Sequence, residues 1–197
     1  MSSLPVLAAW PAVLRAQAAG AASDARQGTG AAAAPGSTGG AAPAAGGGTG
    51  RVPRWPERAS PELGARIEIP RSRLIDGSVL EPAYWADKVL VVELWATWCP
   101  FCARQNPHVD KLHREGTPRG LEVLGLALDR SPTDVARYMR QHGYGFHAAL
   151  FDEEWLRAIG RPRGLPVVWV IGRDRLLKQL ETREMFPEDV EELLRWA

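Results

Sequence analysis

Three almost unbroken apolar runs mark the second half of the chain: VLVVELW (Val89–Trp95), LEVLGLAL (Leu121–Leu128) and PVVWVI (Pro166–Ile171). Each is too short for a long buried helix and too uniformly apolar for a strand with one wet face, so each predicts a strand covered on both sides. Between the runs the pattern takes on helical spacing. A helix is expected from Cys99 to about Glu115. Ser131-Pro132-Thr133-Asp134 opens another, with Ser as cap, Pro in the first turn and an acid at the third position. Val135, Tyr138 and Met139 give that helix an apolar face, and Gly143 ends it. His147–Leu150 reads as a weaker strand, and Asp152 caps a short helix carrying Trp155, Leu156 and Ile159 up to Gly160. Gly172-Arg173-Asp174 turns into an antiparallel strand at Leu176–Leu180, and Pro187 starts a last helix with Val190, Leu193, Leu194 and Trp196 inward. An irregular entry, with Ile67 and Ile69 and a turn at Asp76-Gly77, precedes this series. Strands alternating with helices, then a hairpin and a closing helix, predict an α/β fold: a mixed central sheet flanked by helices on both faces. No internal repeat is visible.

Residues before about Trp55 differ in kind. Positions 19–54 are nearly all Ala, Gly, Pro, Ser and Thr until the last few, as in AAAAPGSTGGAAPAAGGGTG. Such a stretch has too few large side chains to offset the entropy of ordering it and is expected to be a disordered linker. Positions 1–18 carry the apolar run LPVLAAWPAVL followed by Ala16-Gln17-Ala18, which has the length and A-x-A spacing of a secretory signal. The basic residue that usually precedes such a run is missing and Pro11 interrupts it, so an Ala-rich leader is the other reading. The globular domain is expected over 55–197.

Charge narrows the field of partners. Lys and Arg total 24 against 23 Asp and Glu in 197 residues, a net charge of +1. That balance offers no basic excess for a nucleic-acid partner. The chain has 2 cysteines, Cys99 and Cys102, so none is left over for a structural bridge between distant segments.

The chemistry is concentrated where the first apolar run meets the first helix, in Trp95-Ala96-Thr97-Trp98-Cys99-Pro100-Phe101-Cys102. A helix N-terminus presents unpaired N–H groups and partial positive charge, which favour a thiolate. Cys99 falls there and is expected to be the exposed attacking thiolate. Cys102, on the next turn, is then the buried thiol that resolves a mixed disulfide. Cys99, Cys102, His108 and His113 also form a C-x2-C-x5-H-x4-H series, which leaves a metal site open. Its five-residue gap is much shorter than the ~12 of a zinc finger, and one helix cannot wrap all four around an ion. Haem attachment is excluded because Ala103, not His, follows the second cysteine.

WATWCPFC, with Pro107 further along the helix and Gly164-Leu165-Pro166 before a late strand, resembles the thioredoxin superfamily, and more narrowly its TlpA/ResA-type bacterial thiol-disulfide oxidoreductases. The extra helix and strand between Ser131 and Leu150 fit that branch. The resemblance implies that Pro107 is the helix-kinking proline and that Pro166 is the cis-proline opposite the dithiol, with the Leu165 backbone presented to a substrate strand. It places Glu93, six residues before Cys99 and the one charge in VLVVELW, where the superfamily keeps a buried acid that exchanges a proton with the resolving cysteine. Burial there would raise its pKa toward the working range; pairing with a basic neighbour such as Lys88 is the alternative. The branch usually carries Glu three residues after the second cysteine, whereas this chain has Gln105, which cannot titrate. Trp98, Pro100 and Phe101 are expected to shape the surface around the site and Trp95 to lie in the core. Arg104 either supports the thiolate or solvates a helix face, and His142 and His147 read as surface residues.

By that resemblance the chain is a protein-disulfide oxidoreductase without a dissociable cofactor, working as a reductant in the periplasm or another extracytoplasmic space. Its partners would be protein dithiols and disulfides, for example apocytochrome c or copper-site proteins, and an upstream thiol reductant, with attachment to a membrane through the N-terminus. A metal-binding or metallochaperone module using the same cysteines is the second reading. A peroxidase-like site is the third, and it ranks last because Thr97 stands two residues before Cys99 rather than three.

Overall fold

A computed structural model describes residues 55–197; the leader expected at 1–18 and the linker expected at 19–54 lie outside the described residues. Asp76-Gly77 does turn the chain, joining β1 (Ser72–Arg73) and β2 (Val79–Leu80) into a small antiparallel hairpin. Asp76 Oδ1 accepts hydrogen bonds from the Ser78 N–H at 2.9 Å and hydroxyl at 2.6 Å. Gly77 supplies a φ of 90° that a side chain would resist.

The three apolar runs become β3 (Val89–Trp95), β4 (Leu121–Ala127) and, after β5 (His147–Leu150), β6 (Val167–Ile171). With β7 (Leu177–Glu181) they form one sheet in the order β5-β4-β3-β6-β7. β3, β4 and β5 are parallel; β6 lies antiparallel on the other side of β3, and β7 is antiparallel to β6. Every residue of β3, β4 and β6 is buried, which is why their sequences show no alternation.

Among the described residues four α-helices flank the sheet: α1 (Pro100–Gly116), α2 (Pro132–His142), α3 (Glu153–Ile159) and α4 (Pro187–Glu192). Ser131 Oγ accepts from the Asp134 N–H at 3.2 Å, and Asp152 Oδ1 accepts from the Trp155 N–H at 2.9 Å, so both polar caps satisfy donors that the helix cannot. The last helix gives way to a 3-10 turn, Leu193–Trp196, with Val190 and Leu193 buried but Leu194 and Trp196 only half-buried. Trp85, Trp95, Trp155 and Trp169 anchor the core. Two of their indoles fasten the irregular entry: Trp155 donates to Ser72 Oγ at 3.1 Å and Trp169 to Ser60 Oγ at 3.0 Å.

His147 departs from the surface position expected of it. It opens β5 half-buried, with Nε2 2.8 Å from Glu122, a buried carboxylate that also accepts from Tyr84 and Lys88. His142 is exposed as expected.

Candidate active site

The site begins where β3 runs out. Thr97, two residues past the strand, is tied to Asp129, just beyond β4: its N–H donates at 3.0 Å and its hydroxyl at 2.5 Å. That link between two parallel strand ends fixes the turn leading to Cys99. Cys99 is the N-cap residue of α1, with Pro100 at the first helical position, where its missing N–H loses nothing. Its Sγ accepts from the Cys102 N–H at 3.2 Å and is joined to Cys102 Sγ in a disulfide, with the two Cα atoms 5.3 Å apart.

The expected asymmetry in exposure is small in this oxidised form. Cys99 is 4% exposed and Cys102 0%. The double attachment of Cys99 Sγ, to the partner sulfur and to the Cys102 N–H, draws it back over the helix end. The open surface belongs instead to the flanking aromatics, Trp98 at 57% and Phe101 at 50%. Trp95 is in the core as expected. α1 runs from Pro100 to Gly116 with Pro107 inside it.

On the other side of β3 the register pairs Leu94 with Val167. The antiparallel pairing therefore sets Pro166, the residue before β6, at the strand end from which the cysteine turn departs. The Leu165–Pro166 peptide bond is cis, and Gly164 before it has φ 85°.

Glu93 is fully buried in the central strand. Lys88, the partner in the alternative reading, pairs with Glu122 instead. Glu93 Oε1 accepts from Gln105 Nε2 at 2.8 Å, while Oε2 has no hydrogen-bond partner. Burial pushes the Glu93 pKa up to about 8, with the Gln105 hydrogen bond pulling modestly the other way. Gln105, itself buried, accepts from the Met185 N–H at 2.7 Å through Oε1. Arg104 forms a two-pronged pair with Glu184, both contacts at 2.7 Å, with its guanidinium over the Phe101 ring. The Gln105–Met185 contact spans 80 positions, and its one sequence signal is that Gln105 lies on the same helical face as Cys102.

The cysteine–histidine series does not converge. Cys102 and His113 are separated by 11 residues of α1, roughly 16 Å along its axis. His113 Nδ1 accepts from the Val123 N–H at 3.2 Å, and its ring faces His147. Burial, helped by His147, pushes its pKa down to about 4. Among the described residues no three His, Cys, Asp or Glu side chains are gathered as a metal ion requires.

Comparison with known proteins places this site in context. The Redoxin family model matches residues 66–194. The thiol-disulfide oxidoreductase ResA of Halalkalibacterium halodurans is 25% identical over 122 residues, covering 61% of this chain and 68% of that protein. The ResA of Geobacillus kaustophilus is 24% identical over 104 residues, covering 53% and 60% respectively. A thioredoxin-family thiol:disulfide interchange protein from Chlorobium tepidum superposes with a TM-score of 0.60 at 21% identity, over 73% of this chain and 99% of that one. A DsbF homologue from Corynebacterium diphtheriae gives 0.60 at 18% identity, over 69% and 88%. These superpositions establish the thioredoxin-like fold.

Proposed function

The chain belongs to the Redoxin family, and on that premise we propose a route by which it exchanges disulfides with proteins. It is a protein-disulfide oxidoreductase of the ResA/TlpA type. The observation that carries this is the Cys99–Cys102 disulfide at the N-cap of the helix leaving the central strand. In the reduced protein the helix N-terminus favours the Cys99 thiolate. That thiolate attacks a substrate disulfide, forming a Cys99–substrate bond and releasing the substrate's other sulfur as a thiolate. Cys102 loses its proton to Glu93 and attacks Cys99 Sγ, which closes the intramolecular disulfide and frees the second substrate sulfur. Two electrons pass to the substrate, and an upstream thiol reductant restores the dithiol.

Trp98, Pro100 and Phe101 on one side and the Leu165–Pro166 edge on the other form the surface on which a substrate polypeptide lies. The exposure of Trp98 and Phe101 supports this, as does the position of Pro166 beside the cysteine turn. Net reduction in an extracytoplasmic space is the working direction. That is in keeping with relatives named as ResA and with a structural neighbour described as a secreted Mycobacterium tuberculosis disulfide oxidoreductase. Clients of the apocytochrome c or copper-site kind, and attachment through the N-terminal segment, complete the reading. So does the division into a leader at 1–18, a linker at 19–54 and a catalytic domain at 55–197.

The test is trapping. With the full chain, Cys102→Ser should accumulate a mixed disulfide with an oxidised protein substrate, and Cys99→Ser should abolish turnover and form none. Equal trapping by either variant would reverse the assignment of roles.

A further inference from the structure

Gln105 sits in a slot that gives its amide one orientation. The Met185 N–H can only donate, so the amide oxygen must face it, and it does at 2.7 Å. The amide nitrogen is thereby turned to Glu93 Oε1, at 2.8 Å. Rotating the amide by half a turn would set N–H against N–H at Met185 in a region without solvent, leaving two buried donors opposed, and would set oxygen against oxygen at a charged Glu93. Oε1 is therefore an acceptor whether Glu93 is charged or neutral, and the carboxyl proton of the neutral form is left to Oε2, the oxygen without a partner. Cys102 is buried one turn before Gln105 on the same face of α1.

We infer that Gln105 is a positioning residue: clamped by the backbone N–H of Met185, it fixes Oε2 of Glu93 as the atom that takes and returns the Cys102 proton. The inference rests on the proposed exchange between Glu93 and Cys102. It makes the segment joining β7 to α4 part of the proton machinery, because that segment supplies the clamp. Arg104 and Glu184 fasten the same segment from the surface, so two successive residues of α1 hold two successive residues of the loop. In this step the Cys102 S–H bond breaks and an O–H bond forms at Glu93 Oε2; one proton moves and no electrons are transferred. Besides Cys102, which titrates once reduced, the ionisable groups in the field of Glu93 include Tyr138 on α2, Tyr144 after it and, through Tyr138, Asp129. Burial holds both phenols above their ordinary range, Tyr144 at about 12, so neither competes near neutral pH.

The experiment uses the reduced full chain and follows the rate of mixed-disulfide resolution against pH for wild type, Glu93→Gln, Gln105→Leu and Gln105→Glu. Glu93→Gln should remove the Glu93 inflection and leave only that of the Cys102 thiol. Gln105→Leu, which keeps the volume but takes away the donor, should move the Glu93 inflection upward by about one pH unit. Gln105→Glu should split it into two, since the introduced carboxyl must share a proton with Glu93. In wild type the Gln105 side-chain NH2 resonances should titrate with the same midpoint, a readout that needs no substitution. The inference is overturned if Gln105→Leu keeps the wild-type midpoint, or if those resonances do not titrate while the inflection is present. Loss of disulfide exchange in the wild-type chain would instead bring down the proposed function itself.

Discussion

Cys99 Sγ accepts the N–H of Cys102 at 3.2 Å, so the residue proposed to attack is also the residue that caps the helix. A three-residue offset is the spacing at which an N-cap side chain meets a helical N–H, and it is also the spacing at which two cysteines at a helix start can close a disulfide. One arrangement thus serves both oxidation states. In the oxidised form it satisfies an orphan donor, and in the reduced form it places that donor against a thiolate.

The buried acid makes stability depend on pH. Glu93 has a folded-state value of about 8 against an ordinary 4.5. The folded protein therefore holds a proton that the unfolded chain has given up, and the stability this contributes is present below about 4.5 and lost as pH rises through about 8. His113, held down to about 4 from 6.5, acts in the opposite sense below its ordinary value. The interval from 6.5 to 8 isolates Glu93. Urea unfolding of the oxidised protein should show stability falling there by up to about 1.4 kcal/mol per pH unit, and Glu93→Gln should flatten the slope. A flat wild-type profile would mean that Glu93 is not held neutral.

Trp98 and Phe101 stand open beside a nearly closed dithiol. Replacing both by Ser should raise KM for a protein disulfide about tenfold, the loss of roughly 1.4 kcal/mol of contact. The rate with a small disulfide reagent should hardly change. Equal losses on both substrates would assign the aromatics to the reactivity of Cys99 and not to docking.

Gly125 pairs with Glu93 across the β3–β4 ladder, and a Cβ there would come within 2.7 Å of both Phe146 Cε2 and Trp95 Nε1. Gly125→Ala should cost about 1–3 kcal/mol. It should appear as a lower urea midpoint with an unchanged slope. An unchanged midpoint would show that Trp95 and Phe146 can separate freely.

What could be read from the chain was what two-sided burial and helix caps write into it. β3, β4 and β6 appear as apolar runs because both faces are covered, and Ser131, Asp152 and Cys99 announce the helices they cap. The β1–β2 hairpin escaped because two residues cannot show a period. The packing of His147 and Lys88 around Glu122 escaped because the partners come from separate elements and share no spacing rule. Gln105 stood out as a departure from the expected glutamate, but its link to Met185 is a side chain to backbone contact, and a backbone N–H has no letter.

Cys99 and Cys102 are expected to form a reversible two-electron couple. A redox titration of the full chain in graded thiol/disulfide buffers, read by tryptophan fluorescence, tests it directly, since Trp98 adjoins the dithiol. One two-electron transition is expected, absent in Cys99→Ser, with a potential near the ~−270 mV of a thioredoxin-like reductant. A potential near ~−120 mV would contradict the reductant direction, and no transition at all would contradict the redox assignment.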